Sequence, residues 1–403
     1  MKRGSRLATL LALSALFIPG LTAAEEPGRL IVIKGATVHT AVGPPIPGGV
    51  ILIRGGKIVA VGKDVAIPAG ARVIDAAGKE IIPGLIDEHS HIGVYYRGAN
   101  EFPQPIGPEH QAIDNLTLVH PEWREALKGG VTTVITGPGS GERMAGQSVT
   151  IKTFEGSPAR ILKETREAKM ALNARNLSHF PSIRKTFLKA REYMETWERY
   201  EAGGRTGPAP ERDPAMESLV PVLKGEEKVR CHLHYASDMM AFLRLKDEFG
   251  FDLTFIHASE AYKIAPEIAK RNVPVIALPL YTRIAVSDDM LFGVRTLYDA
   301  GVKVCLHTDH PVIHEKLMRN NAGLVIRYGV PEEAALQMVT LNPAVSSKVA
   351  DRIGSLEPGK DADLVVLDGT WFEPRTRVDM VFVDGILAYD RAKEEERAKK
   401  EES

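Results

Sequence analysis

The sequence predicts an α/β protein, a (β/α)8 barrel joined to a small β-domain that is built from both ends of the chain. Apolar, β-branched runs alternate with helix-like stretches through the middle of the chain, and eight such runs are the number that a (β/α)8 barrel needs. Both ends instead show only alternating strand patterns and tight turns. A doubly wound open sheet would give a similar alternation, so the pattern alone leaves closure of the barrel open.

Composition limits the class of protein. The chain has 403 residues, of which 44% are hydrophobic and 26% charged, and its formal net charge is −1. A balanced charge offers no basic surface for nucleic acid, and we expect none as a partner. Cys231 and Cys305 lie in apolar runs, which predicts buried core residues and no disulfide scaffold.

Residues 1–24 resemble a secretory signal peptide. Three cations precede an apolar run from Leu7 to Leu21, and small residues follow it. The run is too short for a comfortable membrane span, so we expect no stable span after the signal is removed. A mature chain starting near Glu25 would be periplasmic or secreted, and an uncleaved anchor is the alternative.

Residues 25–80 and 355–392 predict the β-domain. The stretch from Val50 to Gly62 consists of two alternating runs joined by Gly55-Gly56, a strong two-residue hairpin signal. The segments "DADLVVLDG" and "VDMVFVDGILAYD" near the other end have the same pattern. Residues 393–403 form a mixed-charge tail, which predicts a solvated helix without function.

Residues 81–354 predict the barrel. An insertion at 173–225 follows the fourth strand, where barrels carry lids and substrate loops. One helix has clear ends, with Ser237 as its predicted N-cap and Gly250 as its terminator. The eight expected strands are Ile81–Ile86, Val131–Thr136, Val149–Lys152, Ala168–Leu172, Val229–His234, Leu253–His257, Val273–Leu278 and Val302–His307.

Histidines and an aspartate follow four of these strands. His89 and His91 are two residues apart, so in an extended segment they share a face, with Glu88 and Ser90 on the other. The ends of barrel strands face one mouth, which favours a shared site over isolated structural histidines. The further candidates are His232 and His234 on the fifth strand, His257 on the sixth, and Asp309 with its neighbours His307 and His310 on the eighth.

These side chains suit a divalent metal. Imidazole nitrogens and carboxylate oxygens bind zinc, manganese, iron or cobalt, and a bound ion lowers the pKa of its water from ~15.7 to about 7. Asp309 would then act as general base toward the metal-activated hydroxide and as general acid toward a leaving amine. This combination serves hydrolysis of a carbon–nitrogen bond.

At this point the chain resembles the amidohydrolase superfamily, in its exported, imidazolonepropionase-like or dipeptidase-like branch. The motifs are "PGLIDEHSH", "GGVTTV", the strands with a single His, the late "TD" and "GSLEPGKDADLVVLD", in this order between about residue 30 and residue 390. The resemblance implies a distorted (β/α)8 TIM barrel beside a β-sandwich assembled from both termini. It implies metal ligands at His89, His91, a fifth-strand His, His257 and Asp309.

Three positions stay open within that resemblance. We favour His232 over His234 as the fifth-strand ligand, with His234 next to the ligands or touching substrate. Lys169 matches a lysine that is carboxylated in binuclear members, which requires a neutral amine. The alternatives are an ordinary lysine, or Lys152 in its place. Arg143, in a Gly-rich loop, would bind a substrate carboxylate or be a plain surface charge.

The leading prediction is an exported metal-dependent amidohydrolase with one or two zinc ions. Its substrate would be a small molecule such as a dipeptide, an N-acyl compound or a cyclic amide. Relatives in the superfamily are commonly oligomeric, so the resemblance implies a homo-oligomer. Asn173-Ala174 stand where relatives are expected to have Gly-Glu, which affects the substrate assignment. One alternative is a mononuclear deaminase of a heterocycle. Another is a non-catalytic binding protein with the same fold.

Overall fold

A computed structural model describes residues 30–94, 107–164, 167–172, 178–279 and 292–401. The predicted signal peptide and the first five residues of the predicted insertion lie outside these ranges. Among the described residues no helix is both long and apolar enough to cross a bilayer.

Eighteen strands are described in these ranges. They are β1 Ile31–Val38, β2 Ile46–Arg54, β3 Lys57–Gly62, β4 Arg72–Asp75, β5 Glu80–Pro83, β6 Leu85–Ser90, β7 Val131–Thr136, β8 Met144–Gly146, β9 Val149–Lys152, β10 Ile161–Glu164, β11 Ala168–Ala171, β12 Lys228–Leu233, β13 Asp252–His257, β14 Val275–Ala277, β15 Val304–Leu306, β16 Leu364–Leu367, β17 Val378–Val383 and β18 Ile386–Asp390.

The α-helices of the described ranges lie mainly between and after the later strands. They are α1 Pro121–Lys128, α2 His179–Ala202, α3 Pro214–Leu223, α4 Ala236–Phe249, α5 Ala265–Lys270, α6 Gly293–Asp299, α7 Met318–Arg327, α8 Glu332–Met338, α9 Leu341–Ser346 and α10 Arg391–Glu401.

Both ends of the chain contribute to one eight-stranded sheet. Its order is β18-β17-β16-β5-β1-β2-β3, with β4 pairing parallel to β1, and β16 joins the two ends by pairing antiparallel with β5. The β2–β3 hairpin turns at Gly55 and Gly56, whose φ angles of 56° and 79° favour glycine. Ile33, Ile51 and Phe382 pack in a core on this sheet. Arrangement of these strands as a sandwich stays a prediction.

The strands of the middle region form two further sheets. The first has the order β10-β9-β7-β6, and the second has the order β15-β14-β13-β12-β11-β8, in which β11 to β15 pair in parallel. Backbone hydrogen bonds link the ends of β6 and β15, from Asp309 N to the His89 carbonyl and from His91 N to the His310 carbonyl. Residues after each parallel strand therefore meet at one end of the two sheets.

Three details of the predicted elements were wrong. The third expected strand, Val149–Lys152, pairs antiparallel with β7, because residues 137–148 return as a loop and a short strand without a helix. The first expected strand is two strands, since β5 belongs to the terminal sheet and β6 begins at Leu85. Tyr235, not Ser237, is the N-cap of α4, although Gly250 ends that helix with φ 78° as expected.

The predicted insertion contains a pair of helices. Of its described residues, α2 and α3 pack together, and a loop between them carries the Gly- and Pro-rich stretch. α3 begins at an Asp213 cap whose side chain accepts hydrogen bonds from the amides of Ala215 and Met216. The charged tail forms α10, in line with its mixed-charge pattern.

Candidate metal centre

Three histidines from distant parts of the chain surround Asp309. The Nε2 atoms of His89 and His91 lie 3.3 Å and 3.4 Å from Asp309 Oδ1. His257 Nε2 lies 3.5 Å from Asp309 Oδ2. The ligand atoms of His89, His91 and Asp309 all lie within 4.8 Å of one another. The structure therefore brings together four of the residues that the strand pattern singled out.

Asp87 holds the two segments that carry these ligands. Its carboxylate accepts hydrogen bonds from the backbone amide and the hydroxyl of Thr308, next to Asp309. It also accepts a hydrogen bond from the amide of His89, 3.2 Å away. Burial raises the pKa of Asp87 to about 7, against the hydrogen bonds from Thr308. One buried side chain thus fixes the end of β6 against the loop after β15.

Left-handed backbone turns two of the ligands toward the centre. His257 has φ 63° and Asp309 has φ 54°, a region that non-glycine residues seldom occupy. In β13, simple alternation would place His257 on the same face as Phe255, which packs in the hydrophobic core. The turn at His257 directs its ring to Asp309 instead. Such backbone concentrates at functional sites because the surrounding structure must impose it.

The hydrogen bond of His91 fits a cation at this point. His91 Nδ1 lies 2.7 Å from the carbonyl oxygen of Gly137, which can only accept, so Nδ1 carries the proton. In a neutral ring the lone pair is then on Nε2, which faces Asp309 Oδ1 across 3.4 Å. A metal ion between the lone pairs of His91 Nε2 and Asp309 Oδ1 would be bound by both. The Gly137 carbonyl fixes the orientation of the His91 ring, as is usual for metal-binding histidines.

Burial favours the neutral form of His89 and His257, whereas contacts with the histidines favour the charged form of Asp309. Burial lowers the pKa of His89 and of His257 well below the usual value, with nearby Lys169 adding to the effect on His89. Burial alone would raise the pKa of Asp309, but His89 and His91 outweigh it and hold that pKa well below its usual range. Neutral imidazoles beside an ionised carboxylate are what a divalent ion binds.

Lys169 reaches the same centre from β11. Its side chain is 1% exposed, and Nζ lies 3.2 Å from His89 Nε2. Burial lowers the pKa of Lys169 to about 7, although Asp309 opposes this. A large part of the amine is therefore neutral at neutral pH, the form that can react with carbon dioxide.

His232, in β12, and His234, directly after it, both lie beside His257. The ring centroid of His232 is 4.3 Å from that of His257, and the centroid of His234 is 5.2 Å from it. His234 Nδ1 is 2.8 Å from the Ser259 hydroxyl. His232 is therefore nearer to His257, and its assignment as the fifth-strand ligand stays a prediction.

Lys152 is wrong as a substitute for Lys169. Its Nζ is fully buried and lies 2.8 Å from Asp361, 3.0 Å from Asp363 and 2.5 Å from Asp384. These carboxylates raise its pKa despite burial, so the amine stays charged and cannot be carboxylated. Lys152 instead ties β9 to the region around the terminal sheet.

Arg143 lies at the edge of the centre. Its carbonyl oxygen accepts a hydrogen bond from the amide of Ala171, two residues beyond Lys169, and its side chain is exposed. The backbone of Arg143 thus lies beside the end of β11, and its guanidinium is open to solvent.

Comparison with known proteins identifies the family. A crystal structure of an amidohydrolase from Thermotoga maritima MSB8 is 34% identical to this chain, with a TM-score of 0.83, and the match covers 90% of this chain and 100% of the other. The chain belongs to the amidohydrolase family. The family model "Amidohydrolase family" matches residues 224–387. The fold is therefore the TIM-barrel-like α/β fold of these enzymes.

Curated relatives agree with this placement. "Amidohydrolase tasK" of Hapsidospora irregularis is 26% identical over 90% of this chain, which spans only 43% of that relative. An imidazolonepropionase of Geobacillus sp. (strain WCH70) is 26% identical over 80% of this chain and 84% of its own length. As a member of this metal-dependent family, the chain is a hydrolase that acts on carbon–nitrogen bonds of small molecules.

Two buried residues adjoin the side chains of this centre: His307, which the strand pattern already singled out, and Arg230, which sequence reasoning missed. His307 is fully buried, and its ring lies 4.7 Å from that of His257 and 5.4 Å from that of His89. Arg230, also buried, pairs with Glu88 at 3.2 Å and with Glu167 at 3.3 Å beneath them. Arg230 is two residues before His232 on one strand, so the same alternation that paired the histidines could have found it.

Proposed function

We propose that this enzyme hydrolyses an amide-type bond of a small substrate, a dipeptide, an N-acyl compound or a cyclic amide, with a metal held by this centre. The ligands would be His89, His91, Lys169, His232, His257 and Asp309, and one or two zinc ions would fit them. The observation that carries the proposal is the meeting of three imidazoles within 3.5 Å of the Asp309 carboxylate.

Asp309 would move the proton in this reaction. A bound divalent ion would make water more acidic and polarise the scissile carbonyl. One Asp309 oxygen would accept the proton of the attacking water and return it to the nitrogen that leaves. The burial of Asp309, which is 8% exposed, supports this role because it limits exchange of that proton with bulk water.

Lys169 would help to hold the metal as a carbamate. Its Nζ would add to the carbon of carbon dioxide and release one proton, which leaves an anionic group with two oxygens. The position of Nζ, buried and 3.2 Å from His89 Nε2, supports this assignment. A deaminase with a single metal would not need the lysine at this place.

The outer parts of the protein have proposed roles as well. Arg143 would bind a carboxylate of the substrate, since its backbone contacts the end of β11 and its side chain is exposed. The barrel would close between β6 and β15, whose ends exchange backbone hydrogen bonds. The protein would be exported through its first 24 residues, and a homo-oligomer is expected from the resemblance.

Metal analysis together with turnover tests the proposal. Purified wild-type protein should contain about two ions per chain, and hydrolysis of a dipeptide, N-acyl amino acid or cyclic amide should follow metal content. Asp309→Asn should abolish turnover, and Lys169→Ala should lose metal and activity together. Lys152→Met serves as the control for loss of a buried lysine and should retain metal.

Two outcomes would contradict the proposal. Full turnover by Asp309→Asn would remove the proton transfer from this residue. Release of ammonia from a heterocycle, with a single ion and an unaffected Lys169→Ala variant, would favour the deaminase instead.

A further inference from the structure

A cavity adjoins the metal centre at His91. It is bordered by His91, Thr117, His120, Glu122, His310 and Pro311, and it encloses about 170 Å³. His91 belongs to the centre and His310 directly follows Asp309, so the cavity adjoins the proposed reaction centre. Pockets for drug-sized ligands measure roughly 300–1,000 Å³, so this cavity fits only a short substituent close to the scissile bond.

Glu122 supplies the fixed charge of this cavity. Its two carboxylate oxygens each lie 3.5 Å from an imidazole, Oε1 from His310 Nε2 and Oε2 from His120 Nδ1. Within the described part of the chain, no lysine or arginine forms an ion pair with Glu122. The carboxylate thus faces the cavity without a permanent cation as its partner.

His310 is a second sign that the cavity receives a ligand. The residue is only 4% exposed, yet its Nδ1 has no hydrogen-bond partner among the described residues. A buried polar atom without a partner costs stability unless a bound group satisfies it. Here a carboxylate and a buried imidazole border the same small space.

We propose that this cavity is the subsite for a protonated amine of the substrate, with Glu122 as its anionic partner. The inference rests on the proposed function and makes it narrower, because it selects amides whose acyl part carries a free amine near the scissile carbonyl. An ammonium group donates three hydrogen bonds, which the Glu122 carboxylate and the His310 ring can accept.

Matched substrate pairs test the subsite. Metal-loaded enzyme is assayed with alanyl and propionyl derivatives of proline, glycine and aniline, so that each pair differs only in the amine. Wild-type kcat/KM should favour the alanyl member. Glu122→Gln should lower that preference by up to about tenfold, mainly through KM of the alanyl substrates, because the Glu122 side chain is 39% exposed and solvent weakens its hydrogen bond to an ammonium group.

Glu125→Gln is the matched control. Glu125 lies on the same helix, α1, but it pairs with Lys128 and lies 3.9 Å from Lys316, away from the cavity border. The preference of Glu125→Gln for the alanyl member should stay within about twofold of wild type, because Glu125 does not border the cavity.

The outcomes separate the two proposals. Hydrolysis of both members at equal rates by wild type would overturn the subsite and leave the amide hydrolase in place. An equal loss of kcat on both members in Glu122→Gln would mean that Glu122 only positions His310, and would also overturn the subsite. If metal-loaded wild type hydrolyses none of the six compounds, the proposed function fails for linear amides and the subsite fails with it.

Discussion

Replacing the buried lysine of the metal centre should make the metal-free protein more stable. Burial lowers the pKa of Lys169 from its usual 10.5 to about 7. Below pH 7 the buried ammonium therefore lowers the free energy of unfolding by about 5 kcal/mol. Lys169→Met removes the charge and keeps most of the volume, so the free energy of unfolding should rise by several kcal/mol, with about 5 as the upper limit.

The pH dependence gives the sign of this effect. In the unfolded chain Lys169 keeps its proton up to about pH 10.5, whereas in the folded chain it loses the proton near pH 7. The unfolded state therefore binds more protons between these values, and wild-type stability rises with pH. The advantage of Lys169→Met should be about 5 kcal/mol at pH 6, about 2 kcal/mol at pH 9, and absent above pH 10.5.

Urea unfolding of chelator-treated protein, followed by fluorescence of the buried Trp123 and Trp371, measures the effect. Lys152→Met is the control with the opposite sign. It leaves three carboxylates without their shared cation, which should cost about 3–5 kcal/mol. The reasoning is refuted if Lys169→Met is less stable than wild type at pH 7, or if its advantage grows toward pH 9.

Three further predictions concern the metal, the rim and the buried charges. Chelation should lower the melting temperature. Zinc at 100 times its Kd should then raise the free energy of unfolding by about 2.7 kcal/mol, measured by calorimetry. Arg143→Ala should raise KM about tenfold for substrates with a carboxylate but not for their amides, measured by steady-state kinetics. Arg230→Met should lower the free energy of unfolding, measured with urea, by about 3–5 kcal/mol at pH 8. The loss should be smaller at pH 5, where burial favours the protonated form of Glu88.

The convergence of His89, His91, His257 and Asp309 was predictable because strand geometry and chemistry act together. Two-residue spacing put His89 and His91 on one face, and the common end of parallel strands gathered them with His257 and Asp309. Position along the chain was enough to single them out, since each of these residues lies within three positions of the end of a strand. For His257 the same logic reached the right residue although a left-handed turn, not alternation, directs its ring.

The errors arose where distant segments decide the structure. Val149–Lys152 has the apolar, β-branched pattern of a barrel strand. The loop before it reverses the direction of the chain, so this strand pairs antiparallel with β7. Lys152 looked like a spare metal-site lysine, because the three aspartates that bind it come more than 200 positions later. Glu122 drew no attention, since a glutamate in the first turn of a helix is ordinary until His310 is brought beside it.

The pairing of β5 with β16 has a consequence for synthesis. These strands are separated by about 280 positions, so the amino-terminal strands leave the ribosome long before their neighbour exists. Until Leu364–Leu367 emerges, the edge of β5 is bare and open to wrong partners, which makes the nascent chain dependent on chaperones. A premature stop codon before Leu364 would leave the amino-terminal strands without β16, even if every residue of the metal centre were present.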